Sequence, residues 1–314
     1  MAWIEIRTVP HFYDLSAPRH GRCALIFLHG WLLSRRYWQP IIQQVAGDYQ
    51  CLTYDLRGFG ESQSAAMLTG DTAIAQKSSS SQVAAQRKRF DAHSPLAYAE
   101  DLKELMNGLG IDRAWLVGHS LGGTVALWGA HHIGDRIAGV ICLNSGGGIY
   151  LEEEFRTFRT IGQRLVNWRP RWLRDFPLLH WMFRFDSVPK PLPMEWGKQR
   201  AIDFMTADGE SALGSLLSST TRTEVHRLPQ LVSQLKQPAY FIAGERDTVM
   251  EPRYVRHLAS YHPLFGVEGS NLIELPGCGH MGMIERPQEV SGHILRILDR
   301  HPSAQLSELV GQAS

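Results

Sequence analysis

Cysteine is scarce in this chain, with only Cys23, Cys51, Cys142 and Cys278 among 314 residues. They lie far apart and form no CxxC pair, which argues against a disulfide scaffold and against a zinc site. An excess of charge of either sign is also missing: 32 basic residues face 31 acidic ones, for a formal +1. That balance removes the electrostatic ground for a nucleic-acid binder, although a local basic patch stays compatible with it. No apolar run reaches the ~18–20 residues that span a bilayer. The first residues, Met1 to Arg7, lack the basic start, apolar stretch and cleavage site of a signal peptide. No internal repeat is present. What remains, 44% hydrophobic and 10% aromatic, predicts a soluble cytoplasmic protein with a sizeable buried core.

The first 148 residues alternate short apolar runs with amphipathic stretches. Strands are predicted at 24–28, 50–54, 114–117 and 138–143, with helices at 37–45, 95–109 and 121–132. The rhythm returns with strands at 239–243 and 271–275 and a helix at 288–298. Continuous apolar strands separated by helices imply a parallel sheet covered on both faces. Two segments interrupt the pattern. Residues 63–94, with Ser78–Ser81 and the basic run Arg87-Lys88-Arg89, are expected to be a mobile surface insertion. Residues 149–235 contain no convincing strand. Five prolines between Pro170 and Pro193 cut that stretch into short helices, which suggests a lid or cap over the sheet. The expected organisation is a core of 1–148 and 236–314, the cap of 149–235 between, and a frayed tail over 301–314.

Gly118-His-Ser-Leu-Gly122 is a GxSxG sequence that directly follows an apolar strand and opens a helix. This is the strand–turn–helix setting in which a serine hydroxyl is lifted from a sheet edge as a nucleophile. The helix N-terminus brings unpaired N–H groups to where negative charge would develop. A serine needs a base, and the base needs an orienting acid. Both are expected on loops after later strands, and Asp247 and His280 follow the strands at 239–243 and 271–275. Open α/β sheets keep their sites at that edge. Glu245 is the rival acid, but its position closer to the strand end favours a structural role. Asn144, after the fourth strand, cannot act as an anionic partner. Of the other histidines, His119 is expected to point away from the serine and His29 to brace a turn. The N–H groups of Leu121 and Trp31 are the candidate oxyanion donors, Gly30 allowing close backbone approach.

These pieces, with His29-Gly30-Trp31, Asp55-Leu-Arg-Gly-Phe-Gly-Glu-Ser62 and Gly279-His280, resemble the α/β-hydrolase superfamily over nearly the whole chain outside 63–94. The resemblance implies an α/β-hydrolase fold: an eight-stranded, mostly parallel sheet flanked by helices, with an inserted helical cap. It implies Ser120 as nucleophile, Asp247 as acid and His280 as base. The His29-to-Ser34 stretch is similar to the aryl-esterase and cofactor-free perhydrolase branch. Perhydrolases often carry proline after the tryptophan; Leu32 stands here and favours an esterase. Haloalkane dehalogenases and epoxide hydrolases share the Asp-Leu-Arg-Gly-Phe-Gly element but use an aspartate nucleophile, which Ser120 excludes.

The expected reaction is hydrolysis of a carboxylic ester through an acyl-enzyme, without metal or organic cofactor. C–C bond hydrolase, thioesterase and perhydrolase chemistry on the same triad are the alternatives, and a non-catalytic ligand-binding module is the most distant one. Eight aromatics between Phe155 and Phe185 suggest a medium or bulky hydrophobic substrate. Seven arginines from Arg156 to Arg184 suggest that the cap could face an anionic substrate or a lipid surface. The oligomeric state is left open.

Overall fold

A computed structural model describes residues 2–19, 23–63, 92–146, 152–267 and 271–302. Most of the predicted 63–94 insertion therefore lies outside the described residues, as does the 303–314 end of the predicted tail. The two described flanks of that insertion, Gln63 and His93, are buried.

Eight strands form one sheet: β1 Ala2–Ile6, β2 Val9–Leu15, β3 Ala24–Leu28, β4 Cys51–Tyr54, β5 Ala114–His119, β6 Ile137–Leu143, β7 Ala239–Gly244 and β8 Leu272–Leu275. Their spatial order is β1-β2-β4-β3-β5-β6-β7-β8. The β1–β2 and β2–β4 pairs are antiparallel, and the five pairs from β4 through β3 to β8 are parallel. The parallel strands are buried on both faces because the intervening helices must cross over the sheet. On β3 this gives five consecutive buried apolar residues. Ile26 and Leu28 enter the core on one face, Leu25 and Phe27 the core on the other.

Helices α1 Gln39–Val45, α2 Pro95–Gly108 and α3 Leu121–Ile133 fill the first crossovers. Five more separate β6 from β7: α4 Glu152–Asn167, α5 Pro177–Phe183, α6 Met194–Thr206, α7 Gly209–Ser219 and α8 Arg222–Gln234. Helix α9 Pro252–Ala259 lies between β7 and β8, and α10 Gly282–Glu285 and α11 Pro287–Asp299 close the described chain. Among the described residues, no helix is long and apolar enough to cross a membrane.

The sequence reading misses β1, β2, α9 and the single turn of α10. The antiparallel hairpin sits at the sheet edge, where β1 is largely exposed and mixes Glu5 with Trp3, so it lacks the unbroken apolar run of the central strands. Helix α9 buries only Tyr254, Val255, Leu258 and Ala259 between exposed basic residues.

Candidate active site

The turn after β5 is set by steric demand. Ser120 has φ 52° and ψ −118°, a region that costs a non-glycine residue of order 1–3 kcal/mol and persists only when its surroundings enforce it. The enforcement is visible at two glycines. A Cβ on Gly118 would lie 2.2 Å from the carbonyl oxygen of Gly122, and one on Gly122 would lie 2.3 Å from that of Leu28. Backbone atoms cannot yield, so β5, α3 and β3 close on one another here only without side chains. The Ser120 N–H donates to the Leu143 carbonyl at 3.0 Å, tying the turn to β6.

Asp247 and His280 meet beside this turn. Nδ1–H of His280 donates to Asp247 Oδ2 at 2.8 Å, which leaves Nε2 as the basic nitrogen. The carboxylate takes three further donors: the N–H groups of Val249 (2.9 Å) and Met250 (2.8 Å) on Oδ1, and Asn144 Nδ2 (2.9 Å) on Oδ2. Burial alone would raise the Asp247 carboxyl; the His280 charge and the hydrogen bonds from His280, Met250 and Asn144 outweigh it and hold the group below the usual carboxylate range. Glu245 is engaged elsewhere, with Oε2 accepting the Gly277 N–H at 2.7 Å. It braces the loop that carries His280.

Two residues set aside by the sequence reading belong to the site. Asn144 also donates to the Gly279 carbonyl at 3.0 Å, so one amide ties the Asp247 loop to the His280 loop. His119 packs on the base: its ring centroid lies 4.8 Å from that of His280, and its Nε2–H donates to the His280 carbonyl at 2.8 Å. Burial first, and the His280 charge second, push the His119 imidazole well below its usual range, so it is neutral. His29 is a brace, donating to the Gly30 carbonyl (2.8 Å) and accepting the Leu56 N–H (2.9 Å).

The loop after β3 supplies the opposite wall. Trp31 donates its indole N–H to the Ala212 carbonyl on α7 at 2.9 Å, which fixes the loop to the inserted helices. Leu121 is the first residue of α3, where an N–H has no acceptor inside the helix. Leu32 has φ 56°, a value that the proline ring forbids. Behind the loop, Ser34 donates to Asp203 Oδ2 of α6 at 2.9 Å and Gln199 donates to Oδ1 at 3.0 Å. Burial pushes the Asp203 carboxyl up to about 7, against the pull of those two donors. No sequence pattern distinguishes Asp203 from any other acidic residue on a helix.

Ser120, His280, Trp31 and Leu121 line one cavity of about 590 Å³. Its remaining wall is mostly apolar and comes largely from the helices between β6 and β7, through residues such as Leu165, Trp168, Met182, Phe183 and Phe204. Arg200 is the one Lys or Arg in the described lining, and it is already ion-paired with Asp186. Among the described residues, no cluster of His, Cys, Asp or Glu side chains is placed to hold a metal ion.

This sheet order, elbow and site edge agree with a family match over residues 25–292, to the model described as the alpha/beta hydrolase family. The chain belongs to the alpha/beta hydrolase family. Among the relatives of this hydrolase are two proteins named 2-succinyl-6-hydroxy-2,4-cyclohexadiene-1-carboxylate synthase. The Yersinia pseudotuberculosis protein is 27% identical over 74% of this chain and 76% of its own length. The Enterobacter protein is 25% identical over 87% and 91%. Solved structures share the fold: a putative lipase from Acinetobacter baumannii matches with a TM-score of 0.72 and 19% identity over 97% of this chain and 92% of that one. The enol-lactonase of Burkholderia xenovorans matches at 0.69 with 21% identity, over 95% of this chain and 100% of that one.

Proposed function

We propose that this hydrolase cleaves carboxylic esters bearing a medium or bulky hydrophobic group, through an acyl-enzyme on Ser120. The observation that carries the reading is the cavity: a serine on a strained elbow and a carboxylate-held histidine open onto an apolar chamber of about 590 Å³. Ser120 Oγ attacks the ester carbonyl as His280 Nε2 takes its proton. The N–H groups of Trp31 and Leu121 stabilise the oxyanion. Collapse breaks the C–O bond, and the proton on His280 leaves with the alcohol. Water, deprotonated by the same nitrogen, then attacks the acyl-enzyme, and the acid departs as Ser120 regains its proton. Asp247, ionised throughout, keeps the proton of His280 on Nδ1 and stabilises the imidazolium. The helices from 152 to 234 act in this reading as the cap that shapes the acyl or alcohol pocket.

The name of the synthase relatives raises a second chemistry, and the cavity argues against it. That compound carries a carboxylate and a succinyl group, whereas the single cation in the described lining is neutralised by Asp186. Burying unpaired carboxylates in an apolar chamber is costly.

Two measurements test the proposal. A fluorophosphonate probe should label Ser120 in the folded protein. Against a graded ester series, kcat/KM for aryl or medium-chain acyl esters should exceed that for ethyl acetate at least about tenfold, or ~1.4 kcal/mol of extra transition-state binding. An unlabelled Ser120, or a flat or inverted chain-length profile, would overturn the nucleophile or the pocket assignment respectively.

A further inference from the structure

Two of the inserted helices, α4 and α5, leave apolar stripes exposed. On α4 and the residue after it, Ile161, Leu165 and Trp168 recur at the spacing of one helix face and are 52%, 46% and 79% exposed. On α5 and just beyond it, Leu178, Trp181, Met182 and Phe185 repeat the pattern at 55%, 49%, 54% and 46%. Helix α5 has no buried residue at all. A helix in a water-soluble fold turns such a stripe inward, so two neighbouring elements with exposed stripes mark a surface that another phase or molecule covers.

Charge and continuity identify the occupant. From Ile161 to Met194, the stretch that carries both stripes, the sequence holds six basic residues and two acidic ones, whereas Glu152 to Glu154 lie at the opposite end of α4. Both acids are taken by arginines, Asp175 by Arg174 and Asp186 by Arg200. A basic surface with exposed tryptophans and apolar side chains matches the boundary of an anionic bilayer, where indole rings sit at headgroup depth and arginines keep their heads in the polar layer. Leu165, Trp168 and Met182 belong both to this patch and to the lining of the cavity that holds Ser120. The apolar surface is thus continuous from the outside of the molecule to the elbow.

We infer that the face formed by α4 and α5 docks onto anionic lipid surfaces, so that an apolar substrate passes from the bilayer into the cavity without crossing water. Docking is independent of hydrolysis and can be measured without it. The full chain carrying Ser120→Ala is sedimented with vesicles of phosphatidylcholine alone and of phosphatidylcholine mixed with phosphatidylglycerol. Partitioning should be at least about tenfold stronger on the mixed vesicles, fall with added salt, and shift tryptophan emission to the blue. Leu178→Glu with Trp181→Glu, both outside the cavity lining, should cut partitioning about tenfold or more and leave kcat/KM on a short soluble ester unchanged when placed in the Ser120-containing chain. Equal partitioning onto the two vesicle types, no partitioning, or partitioning unchanged by the double substitution overturns the inference. So does a self-association that the double substitution abolishes in the absence of any vesicle binding, since a second copy of the chain would then be the occupant.

Discussion

The loops around Asp247 and the helices from 152 to 206 face the same cavity and are built on opposite terms. Around Asp247 four donors converge on one carboxylate, and a single amide group, that of Asn144, fastens two loops together. The inserted helices hold the cavity wall with apolar side chains, several of them half exposed. One region fixes atoms to within a hydrogen-bond length; the other supplies area. Chemistry demands the first and substrate accommodation tolerates the second, so the two answer differently to substitution.

The largest expected effect falls on the rigid region. Ser120→Ala should fold normally and lose at least about a thousandfold in kcat, because the covalent route disappears. Asp247→Asn should cost a comparable factor, since an amide cannot hold the histidine in its working tautomer. Glu245→Gln should stay close to the parent. If Glu245→Gln were the severe variant in a steady-state assay, the acid would be misassigned.

The joint between the regions should respond to pH. In the unfolded chain Asp203 ionises near 4, whereas in the fold it keeps its proton up to about 7. Between those values the folded state binds more protons than the unfolded state, so stability falls as pH rises through this window and then levels off. Asp203→Asn keeps the contacts with Ser34 and Gln199 within reach and removes the ionisation. Its melting temperature, measured from pH 4 to 9, should lose that part of the slope and exceed the parent at pH 8. A variant with the parent's slope would show that Asp203 does not titrate there.

The smallest effect concerns the support under the acid. Asn144→Ala leaves Asp247 with its other three donors but unties it from Gly279, and should lower kcat by about tenfold with KM little changed, in line with loss of one hydrogen bond to a charged group. A parent-like kcat would make Asn144 a packing residue only.

The central sheet and the three residues of the candidate triad are legible in the sequence, because buried parallel strands leave unbroken apolar runs and the site loops follow directly on them. The runs at 24–28 and 138–143 match β3 and most of β6, and Ser120, Asp247 and His280 each come just after a strand end. What escapes is whatever depends on contact between distant segments. Asn144 is set aside for lacking a charge, although a donor amide suits that place between two loops. His119 is expected only to point away from Ser120; its contact with His280 depends on a loop 161 residues further on and leaves no local signal. The hairpin β1–β2 escapes because an edge strand has one wet face and no continuous apolar signal.

The packing of His119 against His280 has a consequence for where positive charge can reside. Two imidazoles with centroids 4.8 Å apart repel one another as cations, and the inner one is fully buried, which disfavours its charged form. In the proposed mechanism the proton taken from Ser120 is therefore held on the outer ring and is not passed inward to His119. Under the proposed reaction the pair would act as a one-ended relay, with an insulated terminus on the protein side and a single exit toward substrate.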